Sequence, residues 1–178
     1  MKENVMSSFV MPILVLTVIC LVVSSALAFM NNATKPVIAE AAASRTEVAM
    51  ISKIPEATGF ELIDTKSYDG LPATIRAVYR TTNDVGYVII AAANGFSGDI
   101  TIMCAFEPGG DIISVSTLSH TETKGIGTII EQPSFLDTFK GKDSGLEGVD
   151  TVTGATISTR AFIRAINDML AAFEIIGR

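Results

Sequence analysis

The stretch VGYVIIAAANGFSGDITIMCAFEPGGDIISVSTL, residues 85–118, decides the fold. It contains three apolar runs separated by two short turns, at residues 94–98 and 108–111. Alternating or nearly continuous apolar side chains predict β-strands, and Gly, Pro, Asn and Asp are the residues that short turns use. Because connections this short join antiparallel neighbours, we expect consecutive strands of one antiparallel sheet.

Two more strands are predicted before this stretch, a weak one over residues 60–65 and an alternating one over residues 75–80. After it, residues 119–155 are rich in glycine and look like a loop, apart from a short helix predicted over 133–140. Loops of this length inside a domain are uncommon and tend to be functional. We therefore expect this segment to be ordered around something, and a bound cofactor is a natural candidate.

The last helix is predicted to start near Ser158. Its apolar residues recur at the spacing of one helix face, which would cover one side of the sheet: Phe162, Ile163, Ile166, Met169, Leu170 and Phe173. The predicted class is α+β, a twisted antiparallel sheet packed with helices and preceded by a membrane helix.

Residues 9–30 contain no charged side chain, and as a helix these residues would span about 33 Å, enough to cross a bilayer. A cleaved signal peptide is the alternative, with Ala26-Leu27-Ala28 as the cleavage site, but its apolar core is normally shorter. We therefore expect an uncleaved transmembrane helix at 9–30. Lys2 weakly favours a short cytoplasmic N-terminus, residues 1–8, and a domain exported from the cytoplasm.

The rest of the chain divides into a helical connector, residues 31–58, and an extracytoplasmic domain, residues 59–178. The connector begins with a polar break at residues 31–36. The formal net charge of −6 argues against nucleic acid as a partner. The two cysteines, Cys20 and Cys104, lie in the span and in a strand and cannot be assumed to pair.

The segment before the last helix concentrates polar chemistry. It offers one carboxylate and five hydroxyls within ten residues, from Asp150, Thr151, Thr153, Thr156, Ser158 and Thr159. Gly154 permits a positive φ or a close backbone approach. The start of a helix attracts phosphate through its free N–H groups, but a plain helix cap by Thr156 or Ser158 explains the same residues. The residues alone leave both interpretations open.

The run Asp150-x-x-Thr153-Gly154-Ala155-Thr156 resembles the D-x-x-[ST]-G-A-T flavinylation motif. That motif occurs in the FMN-binding domain shared by the G subunit of Rnf complexes and the C subunit of sodium-pumping NADH:quinone reductase. In this family a flavin transferase joins the phosphate of FMN, taken from FAD, to the last motif threonine. The resemblance implies Thr156 as the covalent attachment site, with Asp150, Thr153, Gly154, Ala155 and Ser158 around the cofactor.

Two further segments carry the resemblance. Residues 120–127, HTETKGIG, are similar to the family's H-x-E-T-P-G-L-G loop, with Lys124 in place of proline. Residues 135–142, FLDTFKGK, are similar to W-x-x-[QK]-F-x-G-K. The first segment implies flavin contacts from His120, Glu122, Thr123, Lys124 and Gly125. Lys124 would bring positive charge to the flavin, while His120 could equally be an ordinary hydrogen-bonding loop residue.

The resemblance implies a membrane-anchored, single-pass electron-transfer subunit with covalent FMN, acting within an ion-translocating ferredoxin:NAD+ oxidoreductase of the Rnf type. Its partners would be the other subunits, a flavin transferase and the lipid bilayer. It would be a redox subunit and not a catalyst on its own. The alternatives are a C subunit of the sodium-translocating quinone reductase, an adaptor without flavin, and a stand-alone FMN reductase.

Overall fold

The computed structural model describes residues 10–143 and 145–177. Within them lie three α-helices, α1 (Met11–Lys53), α2 (Pro133–Leu136) and α3 (Thr156–Ile176). The five strands are β1 (Phe60–Leu62), β2 (Ile75–Thr81), β3 (Tyr87–Asn94), β4 (Asp99–Phe106) and β5 (Ile112–Ser119). Three 3₁₀ turns cover Thr65–Ser67, Gly127–Glu131 and Asp137–Phe139. The chain divides into two compact units, with the boundary between Glu47 and Val48.

Helix α1 is long and apolar enough to cross a membrane by length and composition, with a mean hydropathy of 2.8 in its most apolar window. It continues through residues 31–36 with Pro36 inside the helix, so the predicted polar break is a change of composition and not of backbone. The alanine-rich sequence that follows favours helix, which offsets the hydrogen bond that Pro36 cannot donate. The predicted N-terminal segment 1–8, together with Phe9, lies outside the described residues.

The sheet has the order β1-β2-β3-β4-β5, and every neighbouring pair is antiparallel. This confirms the predicted α+β class and the chain of short connections. The register places Ile89 beside Cys104, and Cys104 beside Val115. All three side chains are buried and belong to the same apolar cluster, so one face of the sheet is apolar across its central strands.

Helix α3 covers that face. Phe162, Ile166 and Met169 are completely buried in the cluster that contains the strand side chains, as the helical spacing predicts. Complete burial of a side chain of this size stabilises the fold by about 1.5–3 kcal/mol. The other face holds a smaller cluster, in which Met50 and Ile54 join Val88, Ile90, Met103 and Ala105.

The long segment after β5 is ordered by a small core of its own. Ile130 and Phe139 are completely buried and Phe135 is nearly so. The Phe135 ring lies 5.3 Å from those of Phe139 and Phe162, so the segment packs on α3. A protein core therefore holds residues 130–139 of this segment, and the ordering of the rest around a cofactor stays a prediction.

Candidate functional site

The candidate site is a cavity of about 370 Å³ where three segments of the second unit meet. The turn between β3 and β4 contributes Phe96. Residues 120–127 contribute four lining residues, and the start of α3 contributes five. The lining is Phe96, Glu122, Thr123, Ile126, Gly127, Gly154, Ala155, Thr156, Ile157 and Ser158. It thus brings together two of the three sequence segments that carry the family resemblance, residues 120–127 and the motif run that ends at Thr156.

The start of α3 carries no side-chain cap among the described residues. Thr156 is the first helical residue, and Ala155 before it is the N-cap residue, with no side-chain hydrogen bond to the helix. The prediction that Thr156 or Ser158 caps the helix is therefore wrong, because both residues lie inside it. Since the first turn of a helix has N–H groups without helical partners, this cavity edge favours an anion.

The hydroxyls near the cavity differ in what they already bind. Ser158 is buried and donates to Glu122 Oε2 at 2.5 Å. Thr159 is completely buried, accepts from Val152 N at 3.1 Å and donates to Ala155 O at 2.9 Å. Thr156 is half-buried, and its hydroxyl makes one weak hydrogen bond within the described residues, at 3.5 Å to Val152 O. Of these three, Thr156 is the hydroxyl that is both accessible and in the cavity lining.

Glu122 is the charged residue of the lining, and only 6% of its surface is exposed. Its Oε1 accepts from the backbone N–H groups of Phe96 at 2.9 Å and Ser97 at 3.1 Å. Its Oε2 accepts from the Ser158 hydroxyl. One carboxylate therefore connects the β3–β4 turn, its own loop and the start of α3.

These contacts keep Glu122 ionised. Burial is the largest single influence and acts to raise the pKa of its carboxyl. The hydrogen bond from Ser158 and the two hydrogen bonds from the backbone N–H groups of Ser97 and Phe96 act in the opposite direction. Together they leave the pKa of Glu122 below its ordinary value, so a negative charge lies in the wall of the cavity.

His120 supports this arrangement from outside the lining. Its Nδ1 accepts from the backbone N–H of Glu122 at 3.0 Å, and its Nε2 lies 2.9 Å from Glu131 Oε1. An imidazole with its proton on Nε2 satisfies both contacts. The structure therefore gives His120 the hydrogen-bonding role that the sequence left open.

Six of the sequence-predicted site residues line the cavity: Glu122, Thr123, Gly154, Ala155, Thr156 and Ser158. The remaining five, His120, Lys124, Gly125, Asp150 and Thr153, lie outside its lining. Lys124 and Gly125 are exposed. Asp150 lines a separate cavity beside Phe135 and Thr138.

Sequence reasoning did not assign Phe96, Ile126, Gly127 and Ile157 to the site. The exposed fractions of Phe96, Ile126 and Ile157 are 67%, 55% and 55%, high for large apolar side chains. Each follows a glycine or a hydroxyl residue in a segment that is otherwise polar. An isolated large apolar residue in a polar turn is the signal that could have identified them.

Comparison with known proteins agrees with this site. Residues 95–171 match the FMN-binding domain family. The chain is 26% identical over 163 residues to the G subunit of the proton-translocating ferredoxin:NAD(+) oxidoreductase complex of Clostridium ljungdahlii, covering 86% of this chain and 85% of that protein. It is 28% identical over 169 residues to the G subunit of the ion-translocating oxidoreductase complex of Methanosarcina acetivorans, covering 87% and 89%.

Two other similarities are more partial. The G subunit of the ion-translocating oxidoreductase complex of Shewanella loihica is 35% identical over 99 residues, which is 47% of this chain and 46% of that protein. The crystal structure of Shewanella oneidensis NqrC is 24% identical with a TM-score of 0.48, covering 70% of this chain and 71% of that one. Residues 95–171 are therefore similar to the FMN-binding domain family, and along most of its length the chain is similar to the G subunits of ion-translocating oxidoreductases.

Proposed function

We propose that this chain is a membrane-anchored electron-transfer subunit that carries FMN as a phosphoester on Thr156. The observation that carries the proposal is the difference in accessibility and hydrogen bonding among the hydroxyls at the start of α3. Thr156 lies in the cavity at an uncapped helix start with only a weak hydrogen bond within the described residues. Its neighbours Ser158 and Thr159 are buried and already hydrogen-bonded.

The residues present fit an FMN group. The phosphate would lie at the start of α3, where free N–H groups and the helix dipole stabilise an anion. The apolar side chains of Phe96, Ile126 and Ile157 line the same cavity and would hold the ring system. The volume of about 370 Å³ is within the range of roughly 300–1,000 Å³ that is usual for small-molecule sites.

When bound, FMN supplies the reversible uptake of one or two electrons, which no side chain of this site provides. The chain's own residues bind and orient it. The apolar lining side chains exclude water, and Thr123 offers a hydroxyl to the polar edge of the ring. Glu122 and Ser158 hold two walls of the cavity together through their hydrogen bond.

Attachment needs a flavin transferase and FAD. In this step the Oγ1 of Thr156 would form a bond to the phosphorus of the FMN half, the phosphoanhydride bond of FAD would break, and AMP would leave. The hydroxyl proton of Thr156 passes to a base of the transferase or to water. Only an accessible hydroxyl can react in this way, which is why the difference between Thr156 and Ser158 matters.

The membrane and partner assignments follow from α1 and from the relatives. Helix α1 is long and apolar enough to cross a bilayer, and the relatives are subunits of ion-translocating oxidoreductase complexes. We propose that α1 anchors the chain in the cell membrane with the C-terminal domain outside the cytoplasm. There the FMN would pass electrons between cofactors of neighbouring subunits of an Rnf-type complex.

The test is flavin fluorescence on a denaturing gel. The full-length chain is produced with its flavin transferase, separated in SDS, and viewed for flavin fluorescence. Wild-type protein should give a fluorescent band that survives denaturation, because a phosphoester is covalent. Thr156→Val should give a dark band, since valine has nearly the same shape and no hydroxyl.

The matched control is Thr151→Val, which removes an exposed hydroxyl of the same segment at a position that the motif leaves variable. It should leave the intensity per folded molecule within about twofold of wild type, because Thr151 lies outside the cavity lining. A dark wild-type band under conditions of full transferase activity would reject covalent flavin. A bright Thr156→Val band would place the bond on another residue.

A further inference from the structure

We propose that Glu122 is the positioning residue of this cavity, which fixes the tip of the β3–β4 turn against the start of α3. Its effect on flavin attachment rests on the proposed function, whereas its effect on the turn does not. The residue contacts both segments directly and acts on the site through them. Its loop lies between β5 and the 3₁₀ turn Gly127–Glu131.

The two carboxylate oxygens of Glu122 bind two different walls of the cavity, the β3–β4 turn and the start of α3. Oε1 accepts from the N–H groups of Phe96 and Ser97, which are 26 and 25 residues away in sequence. Oε2 accepts from Ser158, which is 36 residues away in the other direction. A carboxylate that binds one wall with each oxygen sets the separation of the walls.

The backbone around Glu122 makes room for the carboxylate. A Cβ at Gly95 would overlap Glu122 Oε1, and a Cβ at Gly127 would lie 2.7 Å from the Glu122 Cβ. Real side chains do not approach this closely. Glycine at both positions therefore allows the turn and the loop to close on the carboxylate, which indicates that the arrangement depends on this side chain.

The energetics favour a positioning role. A buried carboxylate is costly unless donors compensate it, and hydrogen bonds to a charged group are stronger than those between neutral groups. Among the described residues no lysine or arginine forms an ion pair with Glu122. Three donors from two separate segments therefore hold the charge, so releasing either segment would leave part of it unsatisfied.

Two consequences for the site follow. Phe96 stays on the cavity rim because its own N–H is bound to Glu122. Ser158 donates to Glu122 and is buried, so of the two hydroxyls at this end of α3 that line the cavity, Thr156 is the accessible one. Glu122 thereby acts on both the ring-binding wall and the choice of hydroxyl without itself reacting.

The experiment compares Glu122→Ala, Glu122→Gln and the control Glu107→Ala in the full-length chain in detergent. Glu107 is an exposed carboxylate in the turn between β4 and β5, outside the cavity lining. The first readout is amide hydrogen exchange of the turn peptide, residues 94–98, without flavin. The second is the initial rate of flavin attachment with purified transferase and FAD, below the unfolding temperature of every variant.

We expect Glu122→Ala to speed exchange at Phe96 and Ser97 at least tenfold and to slow attachment at least tenfold. Glu122→Gln should recover most of the exchange protection and most of the attachment rate. Its amide oxygen still accepts from the turn, and its amide nitrogen donates to Ser158. Glu107→Ala should match wild type in both. If Glu122→Ala does not fold, Glu122→Asp replaces it, since a carboxylate one methylene shorter cannot reach both walls.

Unchanged exchange at the turn in Glu122→Ala, or in Glu122→Asp if that variant is used, would overturn the proposal. Equal attachment rates in wild type and that variant would also overturn it. A Glu122→Gln variant as defective as Glu122→Ala would reject positioning by hydrogen bonds. Faster exchange together with a flavin band on Thr156→Val would reject the attachment site and leave the positioning role supported.

Discussion

The two loops that border the cavity are both polar and glycine-containing, yet their environments are opposite. In residues 120–127, Glu122 is buried and hydrogen-bonded, and Gly127 has no room for a side chain. In residues 150–158, Asp150 and Thr153 are exposed, and a Cβ at Gly154 would meet nothing within 4 Å. The first loop supports the cavity wall through Glu122, whereas the second is open as far as Thr156, after which Ser158 belongs to the support.

This difference separates stability from reactivity. Polar residues that are buried and fully hydrogen-bonded contribute to the fold and are poor nucleophiles because a substrate cannot reach them. Polar residues that are accessible contribute little to the fold and can react. Substitutions of residues in these two kinds of environment should therefore change different measurements.

The largest contrast is expected between Thr156→Val and Ser158→Ala. Thr156→Val should lose all covalent flavin and change the free energy of unfolding by less than about 1 kcal/mol, because its hydroxyl makes only a weak bond. Ser158→Ala should keep flavin on Thr156. Its free energy of unfolding should fall by about 2–3 kcal/mol, because a buried carboxylate oxygen of Glu122 loses its donor. Urea unfolding and in-gel fluorescence measure the two effects.

Wild-type protein purified without transferase provides the reference for stability, since no variant then differs by bound flavin. If Ser158→Ala is dark while its fold is intact, the division between support and reactive hydroxyl is mistaken. If Thr156→Val unfolds far more easily than wild type, Thr156 belongs to the support as well.

A smaller contrast is expected between Gly127→Ala and Gly154→Ala. At Gly127 the new methyl group would press on the Glu122 side chain, and overpacking of this kind costs about 1–3 kcal/mol. At Gly154, with φ of +88° and open space around it, the cost is backbone strain alone, about 1 kcal/mol. In thermal unfolding without flavin, the unfolding temperature of Gly127→Ala should be lower than that of Gly154→Ala. The reverse order would show that the 120–127 loop accommodates the extra methyl group easily.

The sheet and α3 could be predicted because their signals are local. Alternation along Ile100, Ile102 and Cys104 and the spacing of Phe162, Ile166 and Met169 require only neighbouring residues. The turns at residues 94–98 and 108–111 carry their own chemistry. These features determined the strand order, since short connections leave few other topologies.

The support of the site could not be predicted because it is tertiary. The hydrogen bonds from Phe96 and Ser158 to Glu122 join residues 26 and 36 positions apart, and no sequence period reports such a contact. Helix capping by Thr156 was a reasonable local prediction, but α3 begins one residue earlier than a cap at Thr156 would require. The same limit applies to charge: the sequence predicted flavin contacts from both Lys124 and Glu122, and only the tertiary structure shows that Glu122 is the one of the two that lines the cavity.

The smallest predicted effect is on the reduction potential of the bound flavin, which should respond differently to removal of the Glu122 charge and of the Lys124 charge. Reduction adds negative charge to a flavin, and a carboxylate in the cavity wall opposes it. Glu122→Gln should therefore raise the potential, on the order of tens of millivolts, which corresponds to about 1 kcal/mol of electrostatic interaction. Lys124→Met should change it by less than about 10 mV, because an exposed charge is screened by water and salt.

Redox titration measures these shifts in potential. The two flavin-loaded variants and wild type are titrated at two ionic strengths, and the flavin is followed by its visible absorbance. The Glu122→Gln shift should persist at high salt because the carboxylate is buried. A fall in potential in Lys124→Met that is larger than the rise in Glu122→Gln would contradict the prediction. It would mean that the flavin lies against the exposed side of the 120–127 loop, in contact with Lys124, and that the cavity beside Glu122 is not where the ring binds.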